Sequence, residues 1–277
     1  MKEKLTIVKV GGAIVEDEAR LAQLLADFAA IPGRKVLVHG GGRRATKVAA
    51  ALGIESRMVG GRRITDADML EVVTMVYGGL VNKNLVARLQ ALGINAIGLT
   101  GADMDVIRSH RRPPVKVKAE SATVAVPRPG ILAGEKEVDF GFVGDVDRVD
   151  AQALSTLIEQ GITPIMAPLT HNGHGSILNT NADTIAAETA KALAAHYNVT
   201  LTYCFEKPGV LRDPDDDSSV IPVITHADFA QLKADGTISG GMIPKIENAL
   251  AAVDAGVSRV IITRADALAE GQGTSVC

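Results

Sequence analysis

The sequence predicts an α/β fold: a three-layer αβα sandwich around a mainly parallel open sheet, with an inserted β-hairpin patch. Short β-rich runs alternate with helical patterns from the first residues onward, which is typical of a parallel sheet. The stretch 101–149 instead contains prolines and short alternating runs, which are typical of β-hairpins. The chain has 277 residues, so it can hold one large domain or two unequal ones.

The first elements form a strand and a glycine-rich turn, and this unit occurs twice. A strand over 5–10 ends at Gly11-Gly12, and the helix after it has apolar residues at i, i+3, i+4 and i+7 on one face. A second strand over 35–38 leads to the turn His39-Gly40-Gly41-Gly42. Both turns therefore lie between a strand and a helix.

A long helix is predicted to follow, running toward Leu92. Thr65 is in place to cap its N-terminus, and Gly93 stands where a left-handed C-terminal residue is expected. After a strand over 95–99 and the hairpin patch, helices and strands alternate again. The predicted helices cover 150–160, 184–195 and 243–255, and the predicted strands cover 162–166, 200–204 and 257–263.

Composition excludes several classes of function. The net charge of −3 provides no positive field to hold a nucleic acid. The two cysteines, Cys204 and Cys277, lack the spacing of metal ligands, so neither a zinc site nor a disulfide framework is indicated. No uncharged apolar run reaches the roughly 18 residues of a membrane span, and the N-terminus lacks a secretory pattern. We expect a cytoplasmic protein.

The two glycine-rich turns are candidate anion-binding sites. Glycine lets backbone amides approach an anion closely, and the N-terminus of the following helix adds positive potential. The alternative is that these glycines only turn the chain. Neither turn matches the P-loop or the dinucleotide-binding pattern, so those two nucleotide-binding folds are not indicated.

Three charged residues are candidates for the chemistry. Lys9 interrupts an apolar strand at its carboxyl end, where open α/β sheets bind ligands, although a lysine there can also simply reach solvent. Lys245 lies in the first turn of a helix, where the macrodipole disfavours a cation, so an acidic or phosphate partner is expected. Asp183, like Asn181, lies at a helix start, where either residue can act as a cap alone.

Five ordered motifs together resemble the amino acid kinase family, over nearly the whole chain. A sixth stretch, Gly141-Phe142-Val143-Gly144, resembles a hairpin of that family. The five motifs are Lys9-Val10-Gly11-Gly12, His39-Gly40-Gly41-Gly42, Gly61-Arg62-Arg63-Ile64-Thr65, Asn179-Thr180-Asn181-Ala182-Asp183 and Gly241-Met242-Ile243-Pro244-Lys245.

The resemblance implies a reaction and a division of labour between two lobes. The reaction is transfer of the ATP γ-phosphoryl to the side-chain carboxylate of an N-acylglutamate, for arginine synthesis, with Mg²⁺ carried on the ATP phosphates. An N-terminal lobe over 1–196 would bind the acylglutamate and mediate dimerisation, and a C-terminal lobe over 197–277 would bind ATP. Because that carboxylate is already ionised at pH 7, the reaction needs charge neutralisation and alignment rather than a general base.

The resemblance also implies a role for each site residue. Lys9 would neutralise the phosphoryl from the acceptor side and Lys245 from the ATP side, with Asp183 orienting both. The remaining expected contacts are with the acylglutamate or with ATP. Acylglutamate contacts would come from Gly12, Gly41, Gly42, Arg63 at the α-carboxylate and Asn179 at the acylated amide, and ATP contacts from Gly11, Glu206, Gly209, Ser239 and Gly241.

Two departures from the family pattern bear on specificity. A small Thr/Ser-Asp pair is usual after this strand in the family, whereas this chain has Tyr203-Cys204-Phe205-Glu206-Lys207-Pro208-Gly209, and Glu206 is expected to replace the aspartate. Arg62 stands where the family commonly has leucine. Arg62, or nearby Arg57, can pair with an extra carboxylate on a succinyl group, or Arg62 can be a solvated surface charge. The acyl group is therefore left open between acetyl and succinyl, and Arg62 is counted with the substrate-binding residues.

Other functions within this fold are considered as alternatives. They are a carbamate, aspartate or uridylate kinase, and a non-catalytic sensor of nucleotides or amino acids. A pure binder has no need of a pair of lysines that stabilises a transition state, which favours an enzyme. The first predicted strand begins by about Leu5, which leaves no space for the N-terminal helix of arginine-inhibited hexamers. We expect a homodimer without arginine feedback, with the helix over 66–92 as a candidate interface.

Overall fold

The computed structural model describes residues 2–118, 135–240, 242–268 and 270–277. Its elements follow the predicted alternation closely. The first part contains β1 (Lys4–Val10), α1 (Gly12–Val15), α2 (Glu18–Ala30), β2 (Arg34–His39), α3 (Gly42–Ala51), β3 (Met58–Val59), β4 (Arg62–Arg63), α4 (Ala67–Val73), a π-helical segment (Thr74–Val81), α5 (Asn82–Ala91) and β5 (Ala96–Leu99).

The second part begins with the predicted hairpin patch and then returns to alternating helices and strands. It contains β6 (Ile107–Arg111), β7 (Val115–Lys118), β8 (Glu135–Val138), β9 (Gly144–Val149), α6 (Ala151–Glu159), β10 (Thr163–Met166), β11 (Leu169–His171), β12 (Ile177–Asn179), α7 (Ala182–Leu193), β13 (Asn198–Phe205), β14 (Val223–Ile224), α8 (His226–Ala234), α9 (Met242–Asp254), β15 (Arg259–Arg264) and β16 (Thr274–Val276).

One eight-stranded sheet in the order β14-β16-β15-β13-β1-β2-β10-β5 forms the central layer. Its strand pairs are parallel except for β15 with β16. β1 lies between β13 and β2, and Lys9 is in register with Tyr203 on one side and Val38 on the other. The carboxyl ends of three neighbouring strands therefore meet around Lys9.

Alternating side chains of β1 explain the two outer helical layers. Leu5 and Ile7 pack into one core with residues of α7 and α9, such as Ile185 and Ile246. Val8 and Val10 pack into the other core, which contains residues of α2, α4 and α5. Helices therefore cover both faces of the sheet, and a parallel strand that is buried on both faces needs a continuous apolar run such as that of β1. The predicted three-layer α/β fold is confirmed.

The hairpin patch is confirmed within the described residues. β6 and β9 pair antiparallel and join β11 and β12 in a four-stranded sheet, while β7 and β8 form a separate antiparallel pair. Residues 119–134 of the predicted patch lie outside the described residues. This second sheet places the end of β12, with Asn179, close to the start of α7.

The predicted cap of the long helix was wrong by one residue. Asp66, not Thr65, accepts a hydrogen bond from the Met69 amide, at 3.0 Å. Thr65 is held in extended backbone by a bridge to Gly141, and its buried hydroxyl accepts from the side chain of Asn179 at 2.9 Å. Gly93 takes the predicted left-handed conformation, with φ of 78°.

The predicted lobe boundary falls between the end of α7 at Leu193 and the start of β13 at Asn198. The division of the chain into lobes at this position stays a prediction. Short elements near the C-terminus, α8, β14 and β16, were not predicted because their apolar runs are too brief to show a period. Across the described residues, the helices are too short or too polar to cross a membrane.

Candidate active site

The two glycine turns touch each other at the carboxyl edge of the sheet. The amide of Gly40 donates to the Val10 carbonyl at 2.9 Å, and that of Gly11 to the Cys204 carbonyl at 3.3 Å. A Cβ atom added to Gly12 would lie 3.4 Å from the amide nitrogens of both Gly41 and Gly42. Side chains here would separate the turns, so glycine keeps several backbone amides on one surface.

Lys9 and Asp183 form a buried ion pair beside these turns. The Lys9 ammonium lies 2.6 Å from Oδ1 of Asp183, and Lys9 is only 6% exposed. Asn181 is the N-cap of α7 and accepts hydrogen bonds from the Asp183 and Thr184 amides. Asp183 Oδ1 accepts no well-directed hydrogen bond from the described residues, so the contact is chiefly Coulombic. Of the two candidate caps, Asn181 is the one that caps α7, and the Asp183 carboxylate faces Lys9 instead.

Lys245 approaches the same place from the first turn of α9. Its ammonium lies 3.9 Å from the centre of the Phe205 ring, and the Lys9 ammonium lies 5.1 Å from the same centre. Burial lowers the pKa of Lys245, the Lys9 charge lowers it further, and the carboxylates of Asp183 and Glu206 raise it. Within the described residues no carboxylate lies within salt-bridge distance of Lys245, so an anionic ligand is the partner that its position calls for.

A cavity of about 180 Å³ opens next to the glycine turns. That volume is below the range of drug-sized ligand pockets and suits a small metabolite. Its lining includes Gly41, Gly42, Arg62, Arg63 and Asn179, five of the predicted substrate-binding residues. The structure thus brings these five together, and Gly12 packs against the glycines of the lining.

Arg63 is buried in the wall of this cavity without an acidic partner. Its guanidinium donates to the Gly42 carbonyl and the Thr46 hydroxyl, both at 2.9 Å, and also to the Ser56 hydroxyl. All these acceptors within the described residues are neutral. A buried cation is costly unless an anion compensates it, so this wall of the cavity is suited to a carboxylate ligand.

Tyr77 is a cavity residue that the sequence analysis missed. It lies in the π-helical segment, and a Cβ atom on Gly41 would come within 2.8 Å of its ring. A Cβ atom on Gly42 would lie 3.8 Å from Nη2 of Arg63 and 3.9 Å from the Tyr77 hydroxyl, so both groups face the same space. Burial raises the pKa of the Tyr77 phenol, which therefore stays protonated and able to donate. In sequence, Tyr77 is simply one apolar position of a helix.

Arg62 lies at the rim of the cavity and is exposed. Within the described residues it makes no hydrogen bond or ion pair at contact distance. Partial burial lowers the pKa of the Arg62 guanidinium, the Arg112 charge lowers it further, and the Asp145 carboxylate raises it. Asp145 is already engaged by Arg112, with Nε to Oδ2 at 3.0 Å. The Asp145 carboxylate therefore pairs with Arg112 and leaves the Arg62 guanidinium as an unpaired positive charge at the rim, among the described residues.

The predicted ATP contacts are less closely grouped. Glu206 is exposed and pairs with Arg43 at 3.2 Å, and Ser239 is exposed just before α9. Gly209 is buried, and a Cβ atom there would lie 2.8 Å from the Thr274 hydroxyl, so close packing explains this glycine. Gly11 lies in the first turn, and Gly241 lies outside the described residues. The contacts of these residues with ATP stay predictions.

His39 is a buried residue that hydrogen-bonds to the second glycine turn. Its Nδ1 donates to the Gly40 carbonyl at 2.9 Å, and its Nε2 accepts from the Asn82 side chain at 3.1 Å. Asn82 also donates to the Ile165 carbonyl at 2.8 Å. Complete burial lowers the pKa of His39 to about 4, so the ring is neutral and its two hydrogen bonds require one tautomer.

This depressed pKa predicts an acid-sensitive stability. His39 binds a proton more readily in the unfolded chain, so the free energy of unfolding should fall as pH drops from about 6.5 to about 4, by about 3 kcal/mol in total. Urea denaturation across this range should show a smaller decrease for His39→Gln than for the native chain. Equal pH dependence in both proteins would contradict the assignment.

Within the described residues, no group of three or more His, Cys, Asp or Glu side chains lies close enough to hold a metal ion. The Asp183 carboxylate is engaged by Lys9. A hard divalent cation such as Mg²⁺ can instead take phosphate oxygens and waters as ligands. The site is thus compatible with a cation that arrives bound to a nucleotide.

The fold and this arrangement of lysines, glycines and arginines define a phosphotransferase. The sequence model of the amino acid kinase family matches residues 4–264, nearly the whole chain. The chain belongs to the amino acid kinase family, and the resemblance predicted from its motifs is confirmed. Membership implies that ATP is the phosphoryl donor.

Similar proteins are named more specifically. Acetylglutamate kinase of Bacteroides thetaiotaomicron is 64% identical over 276 residues, covering 100% of this chain and 99% of that protein. Acetylglutamate kinase of Phocaeicola vulgatus is 65% identical with the same coverage. The solved structure of N-acetylglutamate synthase from Neisseria gonorrhoeae, complexed with coenzyme A and N-acetyl-glutamate, has a TM-score of 0.76 at 23% identity. It covers 100% of this chain and 60% of that chain, and at this identity the likeness shows the fold alone.

Proposed function

We propose that this protein transfers the γ-phosphoryl group of ATP to the side-chain carboxylate of N-acetylglutamate, in arginine biosynthesis. The observation that carries the proposal is that Lys9 and Lys245 both lie close to the Phe205 ring, beside a cavity. The wall of that cavity contains the buried Arg63, whose acceptors among the described residues are all neutral. The names of relatives at 64% and 65% identity support the acceptor.

The reaction requires no proton transfer. A carboxylate oxygen of the acceptor forms a bond to the γ-phosphorus, the bond from that phosphorus to the bridging oxygen breaks, and ADP leaves with the electron pair. The obstacle is repulsion between two anions and the negative charge on the transferring oxygens. Lys9 stabilises this negative charge from the acceptor side, and Lys245 does so from the ATP side. The backbone amides of Gly12 and of the second glycine turn add hydrogen-bond donors in fixed positions.

Acceptor binding follows from the cavity wall. Arg63 binds the α-carboxylate, because it is a buried cation in the cavity wall whose hydrogen-bond acceptors among the described residues are all neutral. Asn179 contacts the acylated amide, since its side chain lies in the lining and is held by Thr65. These contacts orient the side-chain carboxylate toward the glycine turns and Lys9. Alignment of two reactants in this way contributes strongly to rate.

The ATP side is formed by the C-terminal lobe, 197–277, and the acceptor side by the N-terminal lobe, 1–196. Glu206, Ser239 and the start of α9 lie on the ATP side with Lys245. Mg²⁺ is held by the ATP phosphates and water, where it neutralises phosphate charge. We place the enzyme in the cytoplasm, with its supply of ATP.

A hydroxylamine trap tests the proposed function. An acyl phosphate reacts with hydroxylamine to give a hydroxamate, so ATP, Mg²⁺ and N-acetylglutamate should yield a coloured product with this protein. Glutamate, aspartate and carbamate serve as competing acceptors for the related kinase activities. No hydroxamate with any acylglutamate, together with a ligand-induced rise in melting temperature, would support a non-catalytic sensor instead.

A second candidate acceptor is the N-succinyl form of glutamate. The specific observation in its favour is Arg62 at the cavity rim, where positive charge exceeds negative charge. If the acyl group carries a carboxylate, Arg62→Leu should lower kcat/KM for the succinyl substrate by roughly tenfold or more and leave that for the acetyl substrate nearly unchanged. A clear acetyl preference in the native enzyme would exclude this candidate.

We also propose a homodimer that uses the helix over 66–92. Met75 and Leu80, in its π-helical segment, are 54% and 42% exposed. Large apolar side chains on one segment are typical of a buried interface. The double substitution of Met75→Asp and Leu80→Asp should halve the mass measured by light scattering. Leu52→Asp, at an exposed leucine that directly follows α3, should leave the mass unchanged.

A further inference from the structure

Phe205 is the last residue of β13, and its ring lies close to both lysines of the site. The ring centre is 3.9 Å from the Lys245 ammonium and 5.1 Å from the Lys9 ammonium. Both distances are within the roughly 6 Å over which the face of an aromatic ring attracts a cation. The two ammonium groups therefore lie no farther apart than the sum of these distances.

Lys245 depends on this ring more than Lys9 does. Lys9 has the Asp183 carboxylate at 2.6 Å, whereas Lys245 has no carboxylate at salt-bridge distance within the described residues. Lys245 also lies in the first turn of α9, where the helix macrodipole repels a cation. The face of Phe205 is the nearest group of opposite electrostatic character that the structure places against it.

Tyr203 supports the ring from the same face of β13. The two rings are stacked with their planes 10° apart and their centres 6.0 Å apart. Tyr203 is buried, and its hydroxyl lies 3.4 Å from the Asp183 carbonyl, which it can reach only as a weak donor. The plane of Phe205 is thus linked to the start of α7, the same helix end that carries Asp183.

We infer that Phe205 is a positioning residue, whose ring holds the Lys245 ammonium toward the path of the transferring phosphoryl before ATP binds. The inference rests on the proposed function for the role of Lys245. When ATP binds, its phosphate oxygens become a second partner of the ammonium, while the ring keeps the ammonium in the position from which it reaches the transferring phosphoryl. Without the ring, Lys245 would have to be ordered against the helix dipole and the Lys9 charge during each turnover.

Fluorination of the ring gives the sharpest test. Phenylalanine analogues with one, two and three fluorine atoms at position 205 weaken the negative face while they change ring size very little. We expect log kcat to fall steadily with each fluorine, to roughly fivefold lower for the trifluoro ring. Phe205→Leu keeps an apolar side chain without a π face, so its kcat should be lower by a similar factor. Phe205→Tyr should retain most of the activity.

A second readout does not depend on turnover. With ¹³C-labelled lysine, the titration of Lys245 can be followed by NMR and assigned through Lys245→Arg. The groups that face this ammonium are Lys9, Asp183 and Glu206. All three are present in every variant, so a change reports the ring. The Lys245 pKa should be lower in Phe205→Leu than in the native protein, by roughly half a unit to one unit, because the ring stabilises the charged form.

The two readouts separate the inference from the proposed function. A native protein that makes no hydroxamate but shows the lower Lys245 pKa in Phe205→Leu would refute the kinase assignment and leave the ring contact established. An active native enzyme with unchanged kcat and unchanged Lys245 pKa across the fluorinated series would overturn the inference. Loss of activity in Phe205→Ser with full activity in Phe205→Leu would also overturn it, since the ring would then act only as apolar filling.

Discussion

Replacing Lys245 by alanine is expected to lower kcat by about a hundredfold or more. The in-line transition state spreads negative charge over the transferring oxygens. Removal of one preorganised donor to such charge commonly costs two to three orders of magnitude. Lys9→Ala should cause a loss of similar size from the acceptor side. Turnover can be measured as hydroxamate formation or as ADP release at saturating substrates.

The Lys245 prediction has a matched control lysine in the neighbouring helix α8. Lys233, on α8, pairs with Glu247 at 2.9 Å on the surface, so Lys233→Ala should retain native turnover. Lys245→Arg should remain impaired, because a planar guanidinium is bulkier than an ammonium group and presents its donors differently. Near-normal kcat in Lys245→Ala, with the protein folded, would refute the role given to this residue.

Replacing Arg63 by alanine is expected to raise the KM for the acylglutamate. Loss of a buried charge partner of a carboxylate costs about 2 kcal/mol or more, which corresponds to a loss of roughly thirtyfold or more in kcat/KM. The KM for ATP should change little, since Arg63 lines the acceptor cavity. The two Michaelis constants measured in one variant therefore separate acceptor binding from general damage.

Arg20 offers a control for Arg63. It lies on α2 near Asp17, with the side chain 57% exposed and remote from the cavity lining. Arg20→Ala should leave both Michaelis constants at native values. If Arg63→Ala instead raised the KM of ATP and left that of the acceptor unchanged, the assignment of the cavity to the acylglutamate would be wrong.

Elements of this fold were predictable where a pattern in one segment is sufficient. The apolar run of β1 predicts a strand, and Lys9 stands out because it is a charge within that run. Glycines at 11–12 and 40–42 predict turns, and the structure shows why they must be glycine, since the two turns are in contact. The order of such motifs was enough to indicate the family.

The remaining features depend on contacts between distant segments. Asp66 displaced Thr65 as helix cap because Thr65 is held by Gly141 and Asn179, far along the chain. Tyr77 enters the cavity only through its packing against the second glycine turn. Phe205 was noted as part of an unusual stretch in the sequence, but its proximity to two lysines results from three strands and a helix that converge at one edge.

The central claim is that Lys9 and Lys245 bind the transferring phosphoryl more tightly in the transition state than in bound ATP. ADP with aluminium fluoride, Mg²⁺ and acylglutamate imitates that transition state, and its affinity can be measured by calorimetry beside that of a non-hydrolysable ATP analogue. We predict that Lys9→Ala and Lys245→Ala weaken the fluoride complex by roughly a hundredfold and the ATP analogue far less. Equal weakening of both complexes, or no weakening of either, would contradict the claim.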